Sequence, residues 1–323
     1  MQFANTTLNH RPYEDATPVS ACIVPDLKYF YYTIFTLSIL GNGLVLFVLI
    51  KFERACTVNN ILLSNLLASN LVFTCTVPIW AVYQRRELTF SPALCKLVGM
   101  ATYVGFHSSV LFLTLVTIHR YLAVVHAVAM YNQPGKNRYA VVASGVVWLT
   151  CGLAGVAPLI RYKVYRHWES GWVCVDEQDP SWMLFNVYLH FVAFFLLPLL
   201  VVVYCYVRII ITLVSEQISG KNRSLRVVFV ILLLFFSCWT PRSVMHLVTL
   251  HTHYDCNNSV DYANYVTNNI AWVYFSINPV FYAFLGRKFK NYMCELIGSS
   301  IKCPPVCRGH ELVTVPSQPS QLR

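Results

Sequence analysis

The chain has 323 residues and a mass of 36.9 kDa, with 56% hydrophobic and 12% charged residues and a mean hydropathy of +0.53. A water-soluble domain carries about 25% charged residues, so this composition excludes a disordered chain, a collagen-like chain and a typical cytosolic enzyme, and leaves a polytopic membrane protein. The net charge of +10 is dispersed between apolar runs instead of forming one patch, which excludes nucleic acid as a partner and fits positive loops on one side of a bilayer.

Residues 1–28 are polar, with Pro12, Pro18 and Pro25, and read as a translocated extracellular tail without a cleavable leader. Asn5-Thr6-Thr7 is an N-glycosylation sequon, so Asn5 is a candidate acceptor; Asn257-Asn258-Ser259 is a second. Seven apolar runs follow, at 29–50, 60–83, 95–125, 139–160, 181–214, 225–250 and 263–285. Each is near the ~20 residues that span a bilayer as a helix. The spacing predicts an all-α membrane protein whose seven-transmembrane helix bundle occupies 29–285. With the N-terminus outside, the larger share of the 24 Lys and Arg residues falls inside, as the positive-inside rule requires.

Beyond Gly286, the apolar residues Phe289, Tyr292, Met293, Leu296 and Ile297 recur at spacings of three and four, flanked by Arg287, Lys288 and Lys290. This predicts a short amphipathic eighth helix over 286–298, lying in the lipid interface. The remaining 299–323 form a polar cytoplasmic tail. Cys303 and Cys307 are candidate lipidation sites there.

Polar and helix-bending residues interrupt the apolar runs at particular places. The first contains Gly41-Asn42, the second Asn65 and Asn70, and the third ends in His119-Arg120-Tyr121. The fourth holds Trp148 and the fifth Pro198 and Tyr206. The sixth carries Trp239-Thr240-Pro241 and the seventh Asn278-Pro279-Val280-Phe281-Tyr282. An ionisable group such as Arg120 is costly in lipid unless it faces the bundle interior or water, and a Pro inside a helix frees a carbonyl and bends it. The order of these residues along the seven runs resembles that of the rhodopsin-like (class A) G-protein-coupled receptors over about residues 22–297.

Several residues resemble the chemokine-receptor branch of that family. Thr76-Val77-Pro78 looks like its Thr-x-Pro bend, with Trp80 as the tryptophan of its minor pocket; His126-Ala127-Val128 is close to its second-loop pattern. The stretch from Phe112 to Leu122, with His119 before the arginine, looks most like the XC-type (lymphotactin) receptor. The resemblance implies a disulfide between Cys95 and Cys174 and a further one between Cys22 and Cys256. It implies activation switches at Asn70, His119, Arg120, Tyr121, Tyr206, Trp239, Pro241, Asn278, Pro279 and Tyr282. Ligand contacts are expected at Trp80, Tyr103, Glu177, Arg242 and Asn268, and in the tail at Tyr13-Glu14-Asp15, where an acid-flanked tyrosine suits sulfation and a basic ligand. The implied partners are a chemokine, a heterotrimeric G protein of the inhibitory type, arrestin, receptor kinases and membrane lipid, at the plasma membrane.

The chain also departs from the family. Asn70 stands where class A receptors carry the aspartate that binds sodium, and an amide has no charge to hold the cation. His119 removes the acid that usually pairs with the arginine. Both changes imply either raised basal activity or a receptor that signals atypically or not at all. Asn268 stands where most chemokine receptors have a glutamate. Arg242 is an intramembrane charge that either faces the cavity or pairs with an acid such as Glu177. It keeps open the alternative of a small anionic ligand, as a non-signalling chemokine scavenger remains a second. Without Lys in 263–285 there is no retinal Schiff base. His107, His190 and His246 lie at different heights on different helices and read as satisfied bundle histidines, with metal ligation as the alternative. No cofactor or metal is expected, and no acid pair, nucleophile with base or phosphate-binding loop suggests an enzyme.

Overall fold

The structure, a computed structural model, describes residues 27–52, 57–84, 91–132, 135–167, 171–177, 179–215, 222–249 and 259–285. The tail residues Asn5, Tyr13, Glu14, Asp15 and Cys22, the loop Cys256, the expected helix at 286–298 and Cys303 and Cys307 lie outside them.

Eleven α-helices and one hairpin follow in order among the described residues: α1 Lys28–Phe52, α2 Val58–Thr74, α3 Val77–Gln84, α4 Pro92–Val125, α5 Ala127–Asn132, α6 Lys136–Ala154, α7 Val156–Arg161, β1 Tyr162–His167, β2 Gly171–Asp176, α8 Pro180–Phe191, α9 Leu197–Ser215, α10 Asn222–Thr249 and α11 Ser259–Leu285. A π-helical turn at Val192–Leu196 joins α8 to α9. Among the described residues, five continuous stretches are long and apolar enough to cross a membrane: Tyr29–Phe52, Val58–Val82, Pro92–Val125, Asn137–Arg161 and Trp182–Ser215. α10 and α11 add 28 and 27 residues.

Caps and prolines set the breaks. Ser91 accepts from Leu94 N–H at 3.2 Å and starts α4 three residues before the expected 95, with Pro92 in the first turn. The second apolar run is two helices, because Pro78 cannot donate to the carbonyl of Thr74; the Thr76 hydroxyl donates instead to Phe73 O at 2.7 Å. The fourth run parts at Gly155, four residues after Cys151 and just ahead of Pro158. The fifth widens into the π turn where Pro198 has no N–H for the carbonyl of Phe194.

The expectation of an all-α chain needs one correction. Residues between α7 and α8 pair as an antiparallel hairpin, with Tyr162 opposite Asp176 and Val164 opposite Cys174. Outside a helix the backbone must find hydrogen-bond partners elsewhere, and a second strand supplies them while Cys174 is bonded to Cys95 of α4.

Apolar residues fill the core and also cover the outer faces, while many polar residues within the helices are buried. Val142, Val146, Leu149 and Leu153 on α6 and Leu197, Leu200 and Val203 on α9 are exposed, whereas Ser38, Asn42, Asn70 and Ser108 are fully buried. This arrangement suits a lipid solvent, in which polar groups are satisfied inside the protein. α1 packs on α2 and α11, α2 on α4, α4 on α6 and α9, and α10 on α11. The α2–α4 approach requires Gly105, where a Cβ would stand 2.5 Å from the backbone nitrogen of Phe73. At the α1–α11 contact, a Cβ on Gly41 would meet the ring of Pro279 at 2.8 Å.

Candidate functional site

Two features stand one above the other in the bundle. The first is a cavity of about 420 Å³ between the upper parts of α3, α4, α8, α10 and α11. The Cys95–Cys174 disulfide ties β2 to α4 beside it. Arg161 at the end of α7 makes two hydrogen bonds to the Asp176 carboxylate, at 2.9 and 3.2 Å, and both residues line the cavity. Its aromatic side is fixed by hydrogen bonds and stacking: Trp80 Nε1 donates to Thr102 Oγ1 at 2.9 Å, and Trp272 packs against Tyr31 and Phe73 with ring centroids 5.3 and 5.9 Å apart. Tyr31 is held in turn by its hydroxyl on Asn269 Oδ1 at 2.6 Å. At the floor, Trp239 packs on Phe106 at 4.2 Å.

The second feature is a buried polar network below that floor. Ser109 donates to Asn70 Oδ1 at 2.7 Å, and Asn70 Nδ2 donates to Asn42 Oδ1 at 3.1 Å. Asn42 Nδ2 reaches the carbonyl of Phe275 at 3.0 Å, as does the hydroxyl of Ser38 at 2.9 Å. Pro279, four residues after Phe275, has no N–H for that carbonyl, so α1 supplies the missing donors. The network joins α1, α2, α4 and α11 without any ionised group, and both ends of the Asn70 amide are used within it.

The structure brings together four of the residues expected to meet ligand. Trp80, Tyr103, Arg242 and Asn268 all line the cavity. Arg242 donates from Nη1 to Asn264 Oδ1 at 2.5 Å. Glu177 is not among the lining residues. It forms an ion pair with Lys163, while Arg242 lines the cavity. Hydrogen bonds from Lys163 and then Tyr165 hold the Glu177 carboxyl below its ordinary value, and the Glu177 hydrogen bond raises Lys163.

Among the expected switches, Asn70 sits in the polar network and Trp239 at the cavity floor. Tyr206 is buried and packs against Phe229 at 5.2 Å. Pro241 lies within α10, and Pro279 within α11 against Gly41. His119, Arg120 and Tyr121 stand near the end of α4, where the Tyr121 hydroxyl lies 3.1 Å from His126 Nε2. The side chains of Asn278 and Tyr282 lie outside the described residues. Reading along the sequence missed Ser38, Asn269 and the Arg161–Asp176 pair. A polar residue inside an apolar run, and an acid two residues after Cys174, are the signals that could have found them.

Residues 41–282 match the family described as 7 transmembrane receptor (rhodopsin family). Human C-C chemokine receptor type 1 is 33% identical over 320 residues, covering 92% of this chain and 89% of that receptor. Human chemokine XC receptor 1 is 33% identical over 296 residues, covering 90% and 86%. C-C chemokine receptor type 8 of Macaca mulatta is 32% identical over 284 residues, covering 85% and 79%. The XC type thus stands among the relatives, with C-C types at the same level of identity.

Proposed function

The chain belongs to the rhodopsin family of seven-transmembrane receptors and to its chemokine-receptor branch, and from that premise we propose that it binds an extracellular chemokine and activates G proteins of the inhibitory type. It is not an enzyme. The observation that carries this reading is the stacking of a cavity, beside the Cys95–Cys174 hairpin, directly on Trp239 and the polar network beneath it. In this reading all seven long helical stretches span the plasma membrane with the N-terminus outside, and residues 286–298 form an eighth helix on the inner face, with Cys303 and Cys307 lipidated.

The ligand would be met first by the tail at Tyr13, Glu14 and Asp15, with Asn5 glycosylated and Cys22 bonded to Cys256, and then by Glu177 on the hairpin. Its inserted end would reach Trp80, Tyr103, Arg242 and Asn268. A ligand shifts the resting and active populations only by its differential affinity for the two. Contact with the ring floor at Trp239 provides that difference. Movement of α10 about Pro241 then opens the far end to the G protein, with Arg120, Tyr121, Tyr206, Asn278, Pro279 and Tyr282 rearranging, and His119 and Asn70 setting the resting bias. Arrestin and receptor kinases act on the 299–323 tail.

The relatives favour neither a small anionic ligand nor a scavenger as the whole function. The test is inhibition of stimulated cAMP in cells expressing the full chain, with a panel of C-C, XC and CX3C chemokines and a control without ligand. A ligand-specific fall supports the proposal, and a fall without ligand measures basal activity. Surface expression with chemokine uptake and no fall under any condition would replace signalling by scavenging.

A further inference from the structure

The cavity has two chemically different walls. Trp80 and Trp272 contribute an aromatic one, and His107 of α4, His190 of α8 and His246 of α10 contribute one of imidazoles. The rings of His107 and His190 meet edge to face at 4.7 Å, and those of His190 and His246 at 6.3 Å. Phe106 stacks on His190 at 5.5 Å with only 8° between the planes. No set of three metal-binding side chains converges among the described residues, so a shared ion does not explain the grouping.

Hydrogen bonding defines what these rings lack. His107 is 2% exposed, and its Nδ1 lies 2.6 Å from the carbonyl oxygen of Tyr103. A carbonyl only accepts, so Nδ1 carries the hydrogen, and Nε2 of the neutral ring is an acceptor. That Nε2 is buried without a hydrogen-bond partner among the described residues, and so is the Nε1–H donor of Trp239 at the floor. The imidazoles of His190 and His246 make ring contacts but no hydrogen bond among the described residues. A buried polar group left unsatisfied costs about 1–3 kcal/mol, and His107 Nε2 and Trp239 Nε1 are two such groups at this cavity.

A hydroxyl is one group that answers donors and acceptors alike. A hydroxyl accepts from an N–H through its oxygen and donates its hydrogen to a ring nitrogen. A carboxylate only accepts and leaves His107 Nε2 unanswered. An ammonium only donates, and it would approach the Arg242 guanidinium, which shares the α10 face with His246 four residues on. We propose that the imidazole wall is a subsite for a neutral aromatic hydroxyl, its ring lying among the cavity aromatics and its O–H on the histidines. The subsite deepens the reading of the cavity as a ligand site and rests on it, but not on the ligand being a chemokine.

The experiment uses the full chain in lipid nanodiscs with ¹⁵N-labelled histidine, titrated with phenol, anisole, toluene and benzoate. Anisole keeps the ring and the oxygen of phenol but replaces its donor hydrogen by a methyl, and toluene keeps the shape of phenol without its hydroxyl. Phenol is expected to bind about tenfold tighter than anisole or toluene and to shift the histidine ring resonances, and His190→Phe or His246→Phe should bring phenol down to the level of anisole. Phenol binding no tighter than anisole would overturn the proposal without any variant, and benzoate binding tightest would replace it with an anion site. Chemokine-driven cAMP inhibition is read separately on the same chain. Its persistence with no phenol preference leaves the receptor reading standing, and its absence with a phenol preference leaves the subsite standing.

Discussion

Asn42 of α1 donates a hydrogen bond at 3.0 Å to the carbonyl of Phe275 in α11, the carbonyl that Pro279 leaves without its helical partner. The same side chain accepts from Asn70 and donates to the backbone and hydroxyl of Ser38. One amide thus repairs a proline break and joins three helices. Replacing Asn42 by Leu removes these donors and leaves buried polar groups unanswered. The expected loss is about 2–4 kcal/mol, seen as a lower melting temperature of the receptor in nanodiscs. An unchanged melting curve would show that water takes over the network.

Asn70 uses its oxygen on Ser109 and its nitrogen on Asn42, so the network is complete without a cation. The melting temperature is expected to be the same in sodium chloride and in N-methylglucamine chloride. Asn70→Asp supplies a charge and should create sodium dependence. At tenfold excess over Kd the ion would add about 1.4 kcal/mol. Sodium dependence of the unaltered chain would contradict the assignment.

Gly105 and Gly145 form a matched pair for testing helix approach. A Cβ on Gly105 would press on the Phe73 backbone at 2.5 Å, whereas a Cβ on Gly145 meets nothing within 4 Å. Gly105→Ala should destabilise by about 1–3 kcal/mol or more because the obstacle is backbone. Gly145→Ala should be neutral or stabilise by up to about 1 kcal/mol through helix propensity. Equal effects on thermal stability would mean that α2 and α4 separate at little cost.

Cys95 and Cys174 close a loop across 79 positions of sequence. Cys95→Ser is expected to cost about 2–4 kcal/mol and to release β2 from α4. Hydrogen exchange should then rise in Tyr162–His167 and Gly171–Asp176 while α1 stays protected. Retained protection in the hairpin would show that strand pairing and the Arg161–Asp176 bonds suffice.

The Lys163–Glu177 pair predicts a direction with pH. Glu177 is held below its ordinary value by the Lys163 hydrogen bond, so its contribution is present above the ordinary glutamate pKa and is lost as pH falls through the lowered one. Lys163 is raised by Glu177, so its contribution is present below the ordinary lysine pKa and is lost as pH rises through the raised one. The pair is therefore intact around neutrality. A carboxyl NMR titration of Glu177 should show a midpoint that moves up in Lys163→Gln. No movement would mean that Tyr165 alone holds the carboxylate. The effect on overall stability should be small, since both groups are exposed.

The runs of apolar residues were enough to predict where helices form, because a backbone in lipid must satisfy its own hydrogen bonds and a helix does so within one segment. Their breaks were only partly legible. Thr76-Val77-Pro78 announces the bend between α2 and α3, but the apolar runs pass unbroken over Gly155 with Pro158 and over the π turn before Pro198. The hairpin at Tyr162–His167 and Gly171–Asp176 gave no apolar run at all, since it forms by pairing across a loop held by Cys174.

At the site, residue types marked Trp80, Asn70, Arg120 and Trp239 in advance, each being costly or unusual in an apolar run. The partners of those residues were not marked. The packing of α10 against α11 puts Arg242 beside Asn264, and Glu177 pairs with Lys163. His107, His190 and His246 lie far apart in sequence, and only the packing of α4, α8 and α10 makes them one wall. Helix formation is decided by each segment's own backbone, whereas contact between side chains depends on the phase and tilt of several helices at once, and that information belongs to the packed bundle.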